Sequence, residues 1–271
     1  MGADSQGSGL FPALLKHWRR QRGLSQLDLA LAADVSARHV SFLETGRSQP
    51  SADMVLRLCA PLDVPLRQAN AMLRAAGHPA AYPEPTALAA MPPEVARAID
   101  LMKAHQEPFP VMIVDRAYVL MDLNDAARRL LSLVMGDAEP LGTNMARLTF
   151  DPEGAHPAIA NFDEVGRALL WRIQREVLAD PDHGPLRALF ESLAQMPTVG
   201  EDWRRADLAT PSPPVIPVHI RARDLELRFV TVITAFQAPQ TVLLDELRVE
   251  TWFPADEPTD AICRALATPA A

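Results

Sequence analysis

RRQRGLSQLDLALAADVSARHVSFLETGRSQPSADMVLRLC, residues 19–59, decides the fold of the first part of this chain. Three short apolar periods lie within it, each opened by a serine. Ser25 stands before Leu27, Leu29, Ala30 and Ala33; Ser36 before Val40 and Leu43; Ser51 before Met54, Val55 and Leu58. A serine hydroxyl at such a position accepts a backbone N–H that the first helical turn leaves unpaired, so each serine marks a helix start. Only Asp34-Val35 separates the second helix from the third, and Gly46 ends the third. Working outward, Phe11 to Arg22 forms an earlier helix with Leu14, Leu15 and Trp18 on one face, stopped by Gly23. Pro65 opens a last one, with Leu66, Ala69, Met72 and Leu73, that stops at Gly77. The reading is an all-α domain of five helices over residues 10–77, behind a Gly/Ser/Asp-rich tail at 1–9 that should be mobile.

Beyond it, HPAAYPEPTALAAMPPE (78–94) holds five prolines in seventeen residues and reads as a linker over 78–92. After a helix from Pro93 to His105, VMIVD (111–115) and YVLMDLN (118–124) predict two strands about a tight turn at Arg116-Ala117. Helical stretches follow at Asp125–Met135, Asn144–Phe150, Phe162–Val177, Leu186–Met196 and Glu201–Ala209. Then VIPVHIRAR (215–223), LELRFVTVITAF (225–236) and LRVETWF (247–253) turn β-rich. Two strands, a block of helices and three strands predict an α+β domain over 93–260, with a five-stranded antiparallel sheet and helical insertions, and a tail at 261–271.

The 271 residues suffice for two domains, and 48% hydrophobic with 22% charged is the composition of a soluble globular protein. No apolar run reaches the ~18 residues of a membrane span, and the start lacks a basic segment followed by an apolar one, so a cytoplasmic protein with no membrane partner is expected. Cys59 and Cys263 have no metal or disulfide spacing, and His105, His156, His183 and His219 stand singly, so no metal site is expected. A self-cleaving Ser/Lys pair is excluded because Lys103, the only lysine beyond the first domain, precedes every serine there. With no Gly-rich phosphate loop and no GxSxG, no catalytic residue, enzyme activity or cofactor is expected. The net charge of −8 is unevenly spread: residues 1–82 carry nine Lys/Arg against six Asp/Glu, whereas 83–271 carry 17 against 28. A basic first domain suits phosphates; the acidic remainder should repel them.

Arg19, Gly23-Leu24-Ser25-Gln26, the small Ala30, Ser36, Val40-Ser41-Phe42-Leu43-Glu44, Gly46-Arg47 and Pro50-Ser51 together resemble the helix-turn-helix of Xre-type, phage-repressor-like transcriptional regulators. That family usually has glycine in the turn where this chain has Asp34, a residue that also tolerates positive φ. The resemblance implies a structural ion pair between Arg19 and Glu44, and a third helix whose first residues meet base edges in the major groove. By position those are Ala37, Arg38 and His39, with Phe42 one turn on; Arg38 suits guanine, and Ala37 or Phe42 a thymine methyl. Gln26, Arg47 and Ser48 are expected at phosphates. One such domain buries little surface, so a homodimer on a palindromic double-stranded operator is expected.

The second part is similar to the MmyB-like ligand-binding domain, a PAS-related fold. The matching pieces are PFPVMIVDRAYVLMDLNDAARRLL, NMARLTFDPEG, NFDEVGRALLWRIQREVLADP, Glu201-Asp202-Trp203-Arg204-Arg205 and LRFVTVITAFQAPQTVLLDELRVETWFPAD. This implies a sensor with its ligand between sheet and helices. The expected lining is Met112, Val114, Leu120, Met135, Met145, Phe150, Leu169, Ile173, Phe190, Phe229, Val232 and Ile233, and the many methionines suit an adaptable cavity for a lipophilic, fatty-acyl-like molecule. The same residues would serve equally as a plain core. The alternative reading is therefore a DNA-binding regulator whose second domain only dimerises or binds another protein.

Overall fold

A computed structural model of the chain describes residues 9–181, 183–204 and 215–268. It divides into two compact units: one runs to Thr86 and also takes in Gln237–Asp245, and the other comprises Ala87–Phe236 and the chain from Glu246 onward.

The first unit contains α1 (Leu10–Gln21), α2 (Gln26–Ala32), α3 (Ala37–Glu44), α4 (Ala52–Cys59) and α5 (Leu66–Ala75). Ser25, Ser36 and Ser51 cap α2, α3 and α4, accepting from the N–H groups of Asp28, His39 and Met54 at 3.1–3.2 Å. Four helices end on a left-handed residue: Gly23, Asp34 (φ 52°), Gly46 and Gly77. In each case the next N–H turns back to a carbonyl five residues earlier, as in Leu24 to Arg19 and Val35 to Ala30. Asp34 is the one non-glycine among these four, and its short polar side chain makes that conformation tolerable between α2 and α3. Leu15, Trp18, Leu29, Val40, Leu43, Leu58 and Met72 close the core.

Pro65 before α5 offers no capping side chain, and the Leu66 N–H donates instead to Asp245 Oδ2 at 3.1 Å. Asp245 lies in α11 (Val242–Glu246), where the Val242 N–H donates to the Pro83 carbonyl at 3.0 Å. The fully buried Asn70 ties the proline-rich stretch to α5, donating to the Tyr82 carbonyl and to Glu84 at 2.8 Å and accepting from the Ala81 and Tyr82 N–H groups. Residues 78–86 are therefore built into the first unit rather than forming a free linker, and so is 237–245, which the sequence places within the second domain.

The second unit opens with α6 (Pro93–Gln106), and its sheet has the order β2-β1-β5-β4-β3, antiparallel throughout. The strands are β1 (Val111–Val114), β2 (Leu120–Leu123), β3 (Ile216–Ala222), β4 (Leu225–Ala235) and β5 (Arg248–Pro254). Strand β1 lies inside the sheet and is buried at every residue, which explains its unbroken apolar run. Asn124 locks the sheet to α7 (Asp125–Met135): its side-chain oxygen accepts from the Val111 and Ala127 N–H groups at 2.9 Å, and its amide donates to the Phe109 carbonyl at 2.8 Å. Then come α8 (Met145–Phe150), α9 (Phe162–Ala179) and α10 (Gly184–Leu193). The helix expected at Glu201–Ala209 is described only to Arg204, as a 3-10 turn that buries Trp203; Arg205, the last residue of that motif, lies outside the described residues, as does most of the tail expected at 1–9.

The tail expected from 261 is instead the greater part of α12 (Glu257–Ala267). Asp256 caps it, accepting from the Thr259 N–H at 2.9 Å, and Cys263 is buried from it.

Candidate functional site

Two places in the described structure gather the residues of interest. The first is the outer face of α3. Ser36 holds its first turn, leaving Ala37 and His39 half-buried and Arg38 exposed. The Arg38 guanidinium sits 5.1 Å from the centre of the Phe42 ring, and that of Arg47, from the turn after α3, sits 5.9 Å from the same ring. The Phe42 carbonyl accepts the N–H groups of Arg47 at 2.9 Å and Ser48 at 3.3 Å, which fixes that turn.

Behind this face, Arg19 pairs with Glu44 through two parallel hydrogen bonds, Nε to Oε1 at 2.5 Å and Nη2 to Oε2 at 2.9 Å. Arg19 Nη1 also donates to the Leu24 carbonyl at 2.8 Å. Gln26 Nε2 donates to Glu44 Oε2 at 2.8 Å, so the side chain expected at a phosphate also braces α2 against α3. Burial works to raise the Glu44 carboxyl, but the hydrogen bonds from Arg19 and Gln26 and the charges of Arg19 and Lys16 outweigh it and hold it below the ordinary carboxylate range.

The second place is a cavity of about 80 Å³ in the second unit. Its floor is one face of the sheet, set by register: Met112, Glu250 and Ile233 form one cross-strand row, and Trp252, Thr231 and Ile216 the next. Its roof comes from α8 (Met145, Ala146, Thr149) and from Val165, Leu169 and Arg172, which follow one another at i, i+4 and i+7 on α9. Tyr118, in the left-handed region at φ 65°, closes the hairpin turn and also lines the cavity.

Of the residues expected here, Met112, Met145, Leu169 and Ile233 line the cavity. The other eight do not. Val114, Leu120 and Met135 pack with Leu123, Ala127 and Leu131. Phe150, Ile173 and Phe229 are fully buried in the main core, against which Phe190 packs. Val232 sits between Thr231 and Ile233, so the pleat turns it to the opposite face.

The sequence reading missed the polar members, Arg172 and Glu250 above all. A signal existed for Arg172: it shares the helical phase of Val165 and Leu169, so it is a charge on an apolar stripe. Burial pushes the Glu250 carboxyl above the ordinary range, with the charge of Arg172 and the hydrogen bond from Trp252 Nε1 (3.0 Å) offsetting this only in part. Glu176, one turn beyond Arg172 and hydrogen-bonded to Tyr118, is raised by burial in the same way. An apolar cavity with one guanidinium and a carboxyl of raised pKa can take an amphipathic molecule with an acidic head.

The model for the MmyB-like transcription regulator ligand binding domain matches residues 95–266, and a helix-turn-helix model matches residues 15–68. No curated protein matches the chain. Among solved structures it is similar to an RNA-binding light-oxygen-voltage receptor, at 15% identity and a TM-score of 0.29 over 93% of this chain, a likeness too slight to carry weight. The chain spans 63% of that structure's length. No helix among the described residues is long and apolar enough to cross a membrane, and no cluster of His, Cys, Asp and Glu among them could hold a metal ion.

Proposed function

The chain belongs to the family of MmyB-like transcription regulators with a ligand-binding domain, and from that premise we propose that it is an operator-specific regulator whose DNA affinity is set by a lipophilic acid, fatty-acyl compounds first. It is a DNA-binding transcription regulator with a helix-turn-helix and a ligand-binding domain. The finer reading has α3 in the major groove, with Ala37, Arg38 and His39 toward base edges and Gln26, Arg47 and Ser48 toward phosphates. Two copies would read half-sites about 34–36 Å apart on a palindromic operator, as homodimers of this kind do.

The observation that carries the ligand reading is the single guanidinium, Arg172, in a wall otherwise made largely of apolar side chains. At about 80 Å³ the cavity is smaller than a long alkyl chain needs, and Met112 and Met145 supply unbranched side chains that would have to shift to admit one. Coupling would follow the chain itself: β4 and β5 line the cavity, and the segment joining them belongs to the unit that carries α3. A ligand acts there only through unequal affinity for the two DNA-binding arrangements.

Native mass spectrometry of the purified protein, with thermal unfolding against a panel of saturated fatty acids, tests the ligand. A retained or stabilising acid supports the reading, and no shift from any apolar ligand overturns it. Selection of genomic DNA with and without lipid extract tests the regulation. In a gel-shift titration on the selected operator, Arg38→Ala is expected to cost roughly 1–3 kcal/mol and to relax the preference at one base pair. Unchanged affinity removes Arg38 from base reading.

A further inference from the structure

Arg38 and Arg47 share one aromatic ring, and that ring is not on the periphery of α3. Phe42 lies one turn after Arg38 on the same helical face and five residues before Arg47, and its carbonyl accepts the backbone N–H of Arg47. The carboxylate nearest Arg47 in sequence, Glu44, is occupied by Arg19 and Gln26, and Asp34, the one nearest Arg38, sits in the turn before α3 and forms no ion pair with it. Among the described residues neither Arg38 nor Arg47 has an ion-pair partner. Two guanidiniums are therefore gathered over a neutral ring with no anion of the protein between them.

We propose that Phe42 is a positioning residue for DNA recognition, a post that stacks Arg38 and Arg47 in place before DNA arrives. This rests on the DNA-contacting role of α3, and it replaces direct contact of Phe42 with a thymine methyl. A free arginine side chain loses rotamer freedom when it docks, and stacking on the ring meets part of that loss in advance. The negative face of the ring offsets some of the repulsion between the two cations. A nearby phosphate relieves the rest, so the arrangement favours a polyanion over the empty site.

The test uses the full chain and a duplex selected with it from a random library. Expected is a loss of about 5- to 30-fold in operator affinity for Phe42→Leu, while Phe42→Tyr stays within about threefold, since tyrosine keeps the ring face. In an Arg38→Ala, Arg47→Ala background Phe42→Leu should do nothing further, as a double-mutant cycle would show. Replacing dT by dU across the operator, which removes each methyl, should not reproduce the Phe42→Leu loss.

The proposal is overturned if Phe42→Leu costs as much without the two arginines as with them, or if one dU position reproduces its effect. If Phe42→Leu unfolds the first unit, Phe42→Tyr and the arginine variants decide: failure of Phe42→Tyr with its fold intact also overturns it. A chain that enriches no duplex overturns the DNA-contacting role of α3 itself, and this inference with it.

Discussion

Glu44→Ala is expected to destabilise the first unit by about 3–5 kcal/mol, the range for removing one partner of a buried ion pair. The Glu44 side chain is 3% exposed and that of Arg19 is 11% exposed, so the guanidinium left behind is poorly hydrated where it stands. It would lose both parallel hydrogen bonds, and Gln26 would lose its acceptor. Small domains hold only ~5–15 kcal/mol in all, so the first unit should melt well below the second in calorimetry. The double variant Arg19→Met, Glu44→Leu should recover much of the loss, because an apolar pair leaves no charge stranded. The same pair sets an acid limit. The folded Glu44 carboxyl titrates below its unfolded value, so its contribution is complete above the ordinary glutamate pKa of ~4.3 and fades as pH falls through the lowered folded value. Urea midpoints between pH 5 and pH 3 should drop more steeply for the first unit of the wild type than for that of Glu44→Gln; equal slopes would show that Glu44 has no such role.

The first unit was legible because its boundaries are chemical. Ser25, Ser36 and Ser51 are acceptors placed where unpaired N–H groups must be, and Gly23, Asp34, Gly46 and Gly77 are residues that can turn left-handed. The sheet was legible for a different reason, its strands being rich in β-branched and aromatic residues. What was not legible depends on partners distant in the chain. In VTVIT every position is compatible with either face, and only the register with β5 puts Thr231 and Ile233, but not Val232, on the cavity side. The stripe of α12 is thin, and its start shows only in Asp256 and the proline after Glu257. Nothing near Asp245 marks it as the cap of a helix that begins 179 positions earlier. Residue type marks the apolar side of the cavity, but a site is defined as much by its polar exceptions, and Arg172 shows in the sequence only as a charge in the phase of the apolar stripe of Val165 and Leu169.

That arginine carries the second large effect. Arg172→Leu is expected to weaken binding of tetradecanoic acid by about 30- to 150-fold, on the order of 2–3 kcal/mol, while leaving the methyl ester within about threefold. The ester has the same chain and no charge, so the difference isolates the head group from the apolar wall. With Arg172 present, the carboxylate would exchange water for a guanidinium in a cavity of largely apolar walls, where the attraction is less screened than in water. Without it, the acid must either shed its charge or stay out. Glu250 sharpens the contrast: burial favours its protonated form, which can donate to the ligand instead of repelling it, with Trp252 Nε1 keeping the carboxyl in place. Glu250→Gln keeps a donor there and should hold acid affinity within about threefold, whereas Glu250→Ala should lower it. Calorimetric titration of acid and ester against the four proteins separates the outcomes. Acid and ester bound alike by wild type and Arg172→Leu would leave a lipid cavity with no head-group recognition, and binding of neither would remove the lipid reading altogether.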